Sequence, residues 1–232
     1  FGSPSRGHPS PLEQSTTLSR ASTGLFRRAG TLSVSGWQPA LGSGGTLDGE
    51  VRDLHLHVDP GGPGLYAAGA FGAAGGIVAN RVARWDGAAW SALGGGFDDT
   101  AYALVTYDDG TGPALYAGGL FEEADGSQVN HVARWDGATW SALDMGVQFV
   151  GHGDTYVGAL EVFDDGSGPS LFVAGRFNWA GGLNTDNVAR WDGVAWNDVG
   201  GGTNNGIFDL AVFDDGAGPA LYAGGFFTEA GG

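Results

Sequence analysis

The sequence Val-Ala-Arg-Trp-Asp-Gly, followed three residues later by a second tryptophan, occurs at 82–90, 132–140 and 188–196. With Trp37 as a fourth marker, the tryptophans at 37, 90, 140 and 196 are spaced by 53, 50 and 56 residues. A chain that repeats at this interval is built from like units that bury their apolar faces against one another. The same tryptophan pair recurring across the same Asp-Gly raises a choice. Either the pairs bind something repeatedly, or they build something repeatedly.

Each unit contains four short apolar segments. The first is DLHLHV, ALVTY, ALEVF or DLAVF, and the second is LYAAGAF, LYAGGLF, LFVAGRF or LYAGGFF. The third is VARWDG, and the fourth is a tryptophan followed by an apolar triplet such as SAL. All are short, rich in β-branched and aromatic residues, and bounded by Gly, Pro or Asp, so they predict strands and no helix. DDGTGP (108–113), DDGSGP (164–169) and DDGAGP (214–219) join first to second strands, and Asp-Gly makes the tight turn between third and fourth. Four antiparallel strands per repeat of about 50 residues predict propeller blades.

The pattern resembles a kelch-type β-propeller. The double glycine closes the second strand (Gly118-Gly119, Gly224-Gly225), and an aromatic-Asp pair in the third strand precedes a tryptophan in the fourth. It also resembles the LYAGG/WDG/WSALG repeats of bacterial surface proteins and of fungal cell-wall cortical marker proteins. The resemblance covers residues 31–232 and departs from kelch repeats in two ways. The aromatic-to-tryptophan step is five residues (Trp85 to Trp90), and Ala68-Gly69 and Ala174-Gly175 replace two of the double glycines. The fold class expected is all-β, a propeller of about four four-stranded antiparallel blades. TLSVSGWQPAL (31–41) supplies material for a third and fourth strand, and the sequence given stops after a second strand. One blade is therefore expected to be composite, made from N- and C-terminal strands. The alternative is a fragment of a longer array.

Residues 1–30, rich in Ser, Thr, Pro and Arg and without apolar period, are expected to be a tail or linker ahead of a repeat domain at 31–232. Phe1 stands where an initiator Met would be, without a signal-peptide pattern, which implies a processed start or a segment of a longer product. Net charge is −16, with ten arginines, no lysine and 26 acidic residues. Such a chain repels phosphate backbones, so nucleic acid is excluded as a partner. No stretch of about 18 apolar residues exists, so no membrane span is expected. With no cysteine there is neither a disulfide framework nor a thiolate metal site, and the kelch-type copper oxidases, which need a cysteine crosslinked to tyrosine, are excluded. DGATW (136–140) is faintly similar to the hairpin motif of sialidase-like propellers, but no nucleophile–base pair or phosphate loop stands out.

The tryptophan pairs are expected to pack blade against blade, since one buried aromatic removes ~150–250 Å² from water, roughly 4–6 kcal/mol gross. Arg84, Arg134 and Arg190 recur in an acidic body and are expected to pair with Asp86, Asp136 and Asp192. Asp59, Asp108, Asp109, Asp164, Asp165, Asp214 and Asp215 would share one face with the WDG aspartates. They are expected to be solvated turn residues, with Ca²⁺ as the one cofactor that their oxygens could hold. His57 reads as a core substitution for Tyr107, Phe163 and Phe213, and His131 as an exposed, variable position. Function should lie where the repeats differ. In the third unit the connection DMGVQFVGHGDTY (144–156) is the longest, Arg176 replaces Ala70, Leu120 and Phe226, and Trp179 replaces Ala73, Glu123 and Glu229. Arg176, Trp179, His152 and Asp154 are therefore the expected ligand-binding patch, with a glycan, a protein or another copy of the chain as partner. The expected function is a non-catalytic, extracellular or cell-surface protein, structural or adhesive and able to self-assemble. The alternatives are a lectin-like carbohydrate-binding propeller and, after it, a glycoside hydrolase.

Overall fold

The computed structural model describes residues 46–151 and 153–231, and the backbone of 26–28 and 37–39. Every regular element among them is a β-strand. Three four-stranded antiparallel sheets follow one another along the chain. Sheet one is Glu50–Asp59, Gly62–Ala70, Val82–Trp85 and Trp90–Ala92. Sheet two is Ala101–Asp108, Pro113–Gly119, Val132–Trp135 and Trp140–Ala142. Sheet three is Tyr156–Asp164, Pro169–Arg176, Val188–Trp191 and Trp196–Asp198. Sheet four has two strands, Ile207–Asp214 and Pro219–Gly225. Within each sheet the strands pair in sequence order, as the four recurring segments predict.

The first strand of each sheet lies beside the first strand of the next. Between sheets two and three, Tyr107, Tyr116 and Val132 face Leu160, Leu171 and Trp191 in one continuous core. Between sheets one and two, Tyr66, Ala68 and Val82 face Leu104, Leu115 and Trp135. The tryptophan pairs belong to these interfaces. Their rings lie 5.2–5.6 Å apart in the three hairpins, and Trp135, Trp140, Trp191 and Trp196 are all buried. Trp140 Nε1 donates to Leu93 O of sheet one, and Trp196 Nε1 donates to Leu143 O of sheet two. The pairs build.

A second glycine ends each second strand, and the structure shows why it recurs where the first does not. Gly69, Gly119, Gly175 and Gly225 lie opposite a bulge in the first strand. A Cβ on any of them would come closer than 3.0 Å to the carbonyl oxygen of Glu50, Thr100, Tyr156 or Gly206. The preceding position makes no such approach to a carbonyl, so Ala68 and Ala174 are tolerated there.

Three features depart from the sequence expectation. Between second and third strands each of the first three repeats adds a small hairpin, such as Glu123–Ala124 with Ser127–Gln128. The chain entering the same sheet bridges to it through Leu47–Ala74, Phe97–Ala124 and Val147–Ala180, and Thr203–Ala230 repeats the bridge in the fourth unit. Second, His131 is buried rather than exposed. It shares with Arg81 and Asn187 a left-handed backbone, φ 65–70°, whose carbonyls accept from Gly119, Gly69 and Gly175. That conformation, not exposure, is what the position demands. Third, the strand paired with Trp37–Pro39 is Phe26–Arg28 rather than 31–35, so a strand lies inside the stretch read as a tail. The register Arg28↔Trp37 copies Trp85↔Trp90.

Gly119→Ala is expected to lower unfolding free energy by about 1–3 kcal/mol, the usual cost of overpacking. Gly224, whose Cβ would meet nothing within 4 Å, serves as the contrast. Its change to alanine should stay within about 0.5 kcal/mol. Urea denaturation of both variants measures the difference.

Candidate functional site

The first-strand bulge repositions one residue per sheet: Arg52, Tyr102, Gly158 and Phe208. All four line a cavity of about 870 Å³ between the first strands of the four sheets. Its lining comes mainly from the halves of the first strands away from the Asp-Gly turns. Bulges re-aim side chains in this way. The aligned position holds Arg, Tyr, Gly and Phe inside otherwise similar strands, a signal that would mark the site once the bulge is recognised.

An aromatic band crosses the cavity wall. The Arg52 guanidinium lies 5.5 Å from the Tyr102 ring centre, and Tyr102 meets Tyr156 edge to face at 6.3 Å. Tyr156 is nearly parallel to Phe208 at 6.4 Å, and Phe208 meets Phe226 at 4.6 Å. Burial raises the Tyr102 and Tyr156 phenols, which therefore stay protonated donors near neutral pH. Charged groups complete the lining. Asp53 accepts from the backbone N–H of Leu54 and of Leu104, tying sheet one to sheet two. Glu161 is raised by burial, against the N–H of Val162, and the Asp209 carboxylate adds to the rise.

Of the four residues expected to form one patch, Arg176 and Trp179 line different cavities. Arg176 lines the axial cavity, with its guanidinium 5.6 Å from the Phe149 ring centre. Trp179 lines a different, smaller cavity of about 220 Å³ with Met145, Gln148 and Val150. The long connection does reach this tryptophan, because Gln148 pairs with Trp179 and Val150 exchanges hydrogen bonds with Asn178. Asp154 is exposed, and His152 lies outside the described residues.

The recurrent arginines are structural, but their partners are not the expected ones. Arg84, Arg134 and Arg190 reach Asp59, Asp109 and Asp165 across their own sheet, at 3.3, 2.9 and 2.8 Å. Tyr66 and Tyr116 donate to Asp59 and Asp109 as well. The pairing follows from strand register rather than from sequence proximity. Asp86, Asp136 and Asp192 instead accept two backbone N–H groups each inside their own turns, and these bonds hold their carboxyls below the usual range. Asp108, Asp164 and Asp214 accept from the glycines of their turns. Among the described residues no three His, Cys, Asp or Glu side chains cluster as a metal site would need.

Between sheets one and two the Thr106 hydroxyl lies 2.8 Å from His55 Nε2 and 2.9 Å from His57 Nδ1. A hydroxyl donates once and accepts as well, so both rings are satisfied while neutral. Burial lowers both histidines. His57 is buried at the position of Tyr107 and packs edge-on against Tyr66, in line with its reading as a core substitution.

No family model, no curated protein and no solved structure matches this chain.

The lowered histidines give a signed pH dependence. Their contribution is present above the unfolded value of about 6.5 and is lost as the pH falls through that value toward the folded ones. The urea midpoint is expected to drop between pH 7 and pH 5, and His57→Phe, the residue found at 163 and 213, should shrink that drop. An equal drop in the variant would refute the assignment.

Proposed function

We propose that the chain is a non-catalytic β-propeller of the cell surface or extracellular space, structural or adhesive in role, whose fourth blade is composite. The surface placement rests on the resemblance of its repeats to those of surface and cell-wall proteins. The single observation that carries the reading is a pair of complementary bare faces. At each inner interface an aromatic pair such as Tyr107 and Tyr116 covers the next sheet. The same positions in sheet four, Phe213 and Tyr222, are 59 % and 45 % exposed. At the other end, sheet one exposes Leu56 (76 %), where sheets two and three half-bury Thr106 and Val162, and leaves Leu54 half-buried where they bury Leu104 and Leu160.

Two further details favour joining these faces through the hairpin at 26–39. The edge of Pro219–Gly225 that would carry a third strand is unpaired among the described residues. Trp90 Nε1 is buried without a partner among them, whereas Trp140 and Trp196 donate to the fourth strand of the sheet before. Phe26–Arg28 and Trp37–Pro39 have the register of third and fourth strands, which places Arg27 opposite Gln38 as Arg84 stands opposite Ser91. Asp215 occupies the position of Asp109 and Asp165 in its turn. Joining within one chain gives a rigid disc that presents its loops; joining between chains gives a head-to-tail array.

Charge reversal tests the composite blade. Arg27→Asp should lower the melting temperature, and Asp215→Arg in the same chain should restore it, with a coupling of about 0.5–3 kcal/mol. Additive effects would overturn the blade. Light scattering on the same samples separates a closed ring at 23.6 kDa from an assembly of several chains.

A further inference from the structure

We propose that the axial cavity binds a neutral pyranose oligosaccharide of a few units. This role goes beyond that of a scaffold. The lining residues all belong to described strands and connections.

Size comes first. At about 870 Å³ the cavity falls within the roughly 300–1,000 Å³ typical of small-molecule sites. The chemistry of the wall then selects the class. Tyr102, Tyr156, Phe208 and Phe226 form a continuous apolar band, and Phe208 and Phe226 are 45 % and 73 % exposed. A pyranose ring offers such a band its C–H face while keeping its hydroxyls free at the rim.

The polar groups narrow the choice further. Arg176 can only donate, and among the described residues no carboxylate pairs with it. Ionised Glu161 and Asp209 can only accept, and each has a carboxylate oxygen without a partner among the described residues. A ligand that satisfies both sets must donate and accept. A carboxylate only accepts and meets Glu161 and Asp209 with like charge. A quaternary ammonium would suit the aromatic band and the carboxylates, but it does nothing for Arg176, whereas Arg52 already pairs with Glu50 at 2.8 Å. A hydroxyl does both, and vicinal hydroxyls match the two-atom edges of a guanidinium and of a carboxylate. The net charge of −16 further disfavours acidic polysaccharides.

Calorimetric titration of the full chain with maltotriose, mannotriose and N-acetylchitotriose tests the class, with glucuronic acid and choline as the singly charged probes. At least one neutral trisaccharide is expected to bind saturably and more tightly than either charged probe. Phe208→Ala and Arg176→Gln should each weaken it at least about tenfold, equal to about 1.4 kcal/mol. Phe208 is half-exposed and Arg176 lies at a strand end, so both variants should keep the wild-type melting temperature. Trp179→Ala should leave binding intact. Tighter binding of glucuronic acid or choline would overturn the class. Loss of binding in Trp179→Ala, or no loss in the cavity variants, would overturn the location. No saturable binding of any trisaccharide in the millimolar range would overturn the proposal outright.

Discussion

Where each second strand ends, a glycine lies so close to a first-strand carbonyl that no Cβ fits between them. This approach is possible only because the first strand bulges opposite that glycine. The bulge in turn brings one residue per sheet to the wall of one cavity. That cavity and its aromatic band therefore rest on an absent methyl group repeated four times. The backbone at that point is the same in every sheet, so the side chain at the bulge is free to differ. Arginine, tyrosine, glycine and phenylalanine stand there with no change of fold.

The other recurring constraint is the apolar joint between sheets. The joints between sheets one and two and between sheets two and three each receive the tyrosine face of one sheet and the leucine and tryptophan face of the next. The indole N–H that reaches the preceding sheet satisfies a buried donor and fixes the relative height of the two sheets at once. The small hairpin after the second strand of the first three sheets pins the entering chain to its own sheet, and Asp48 and Asp98 reinforce it by accepting two backbone N–H groups each, as Asn204 does beside the single bridge of the fourth unit. Position is thus set twice, by packing between sheets and by bridging within them.

Much of this was legible in the residues. Strand segments, turn chemistry and the packing role of the tryptophan pairs follow from local pattern and period. What escaped depends on contacts through space. Arg84 lies two residues from Asp86, yet strand register carries it to Asp59. His131 looked variable because Arg81 and Asn187 share its position. The common requirement there is a left-handed backbone, and burial comes with it. The cavity between the first strands escaped for a related reason. Difference between repeats did identify Arg176, but the larger variation at the bulge was hidden inside strands that otherwise read as scaffold.

One feature of the ion pairs bears on the history of such a chain. Arg84 meets Asp59, Arg134 meets Asp109 and Arg190 meets Asp165, each within a single sheet. None of these three pairs crosses a joint between sheets, so no sheet depends on its neighbour to neutralise one of these arginines. A gene segment encoding one unit can therefore be duplicated, lost or exchanged without leaving an unmatched arginine charge behind. The number of such units is then free to change at no cost in arginine pairing.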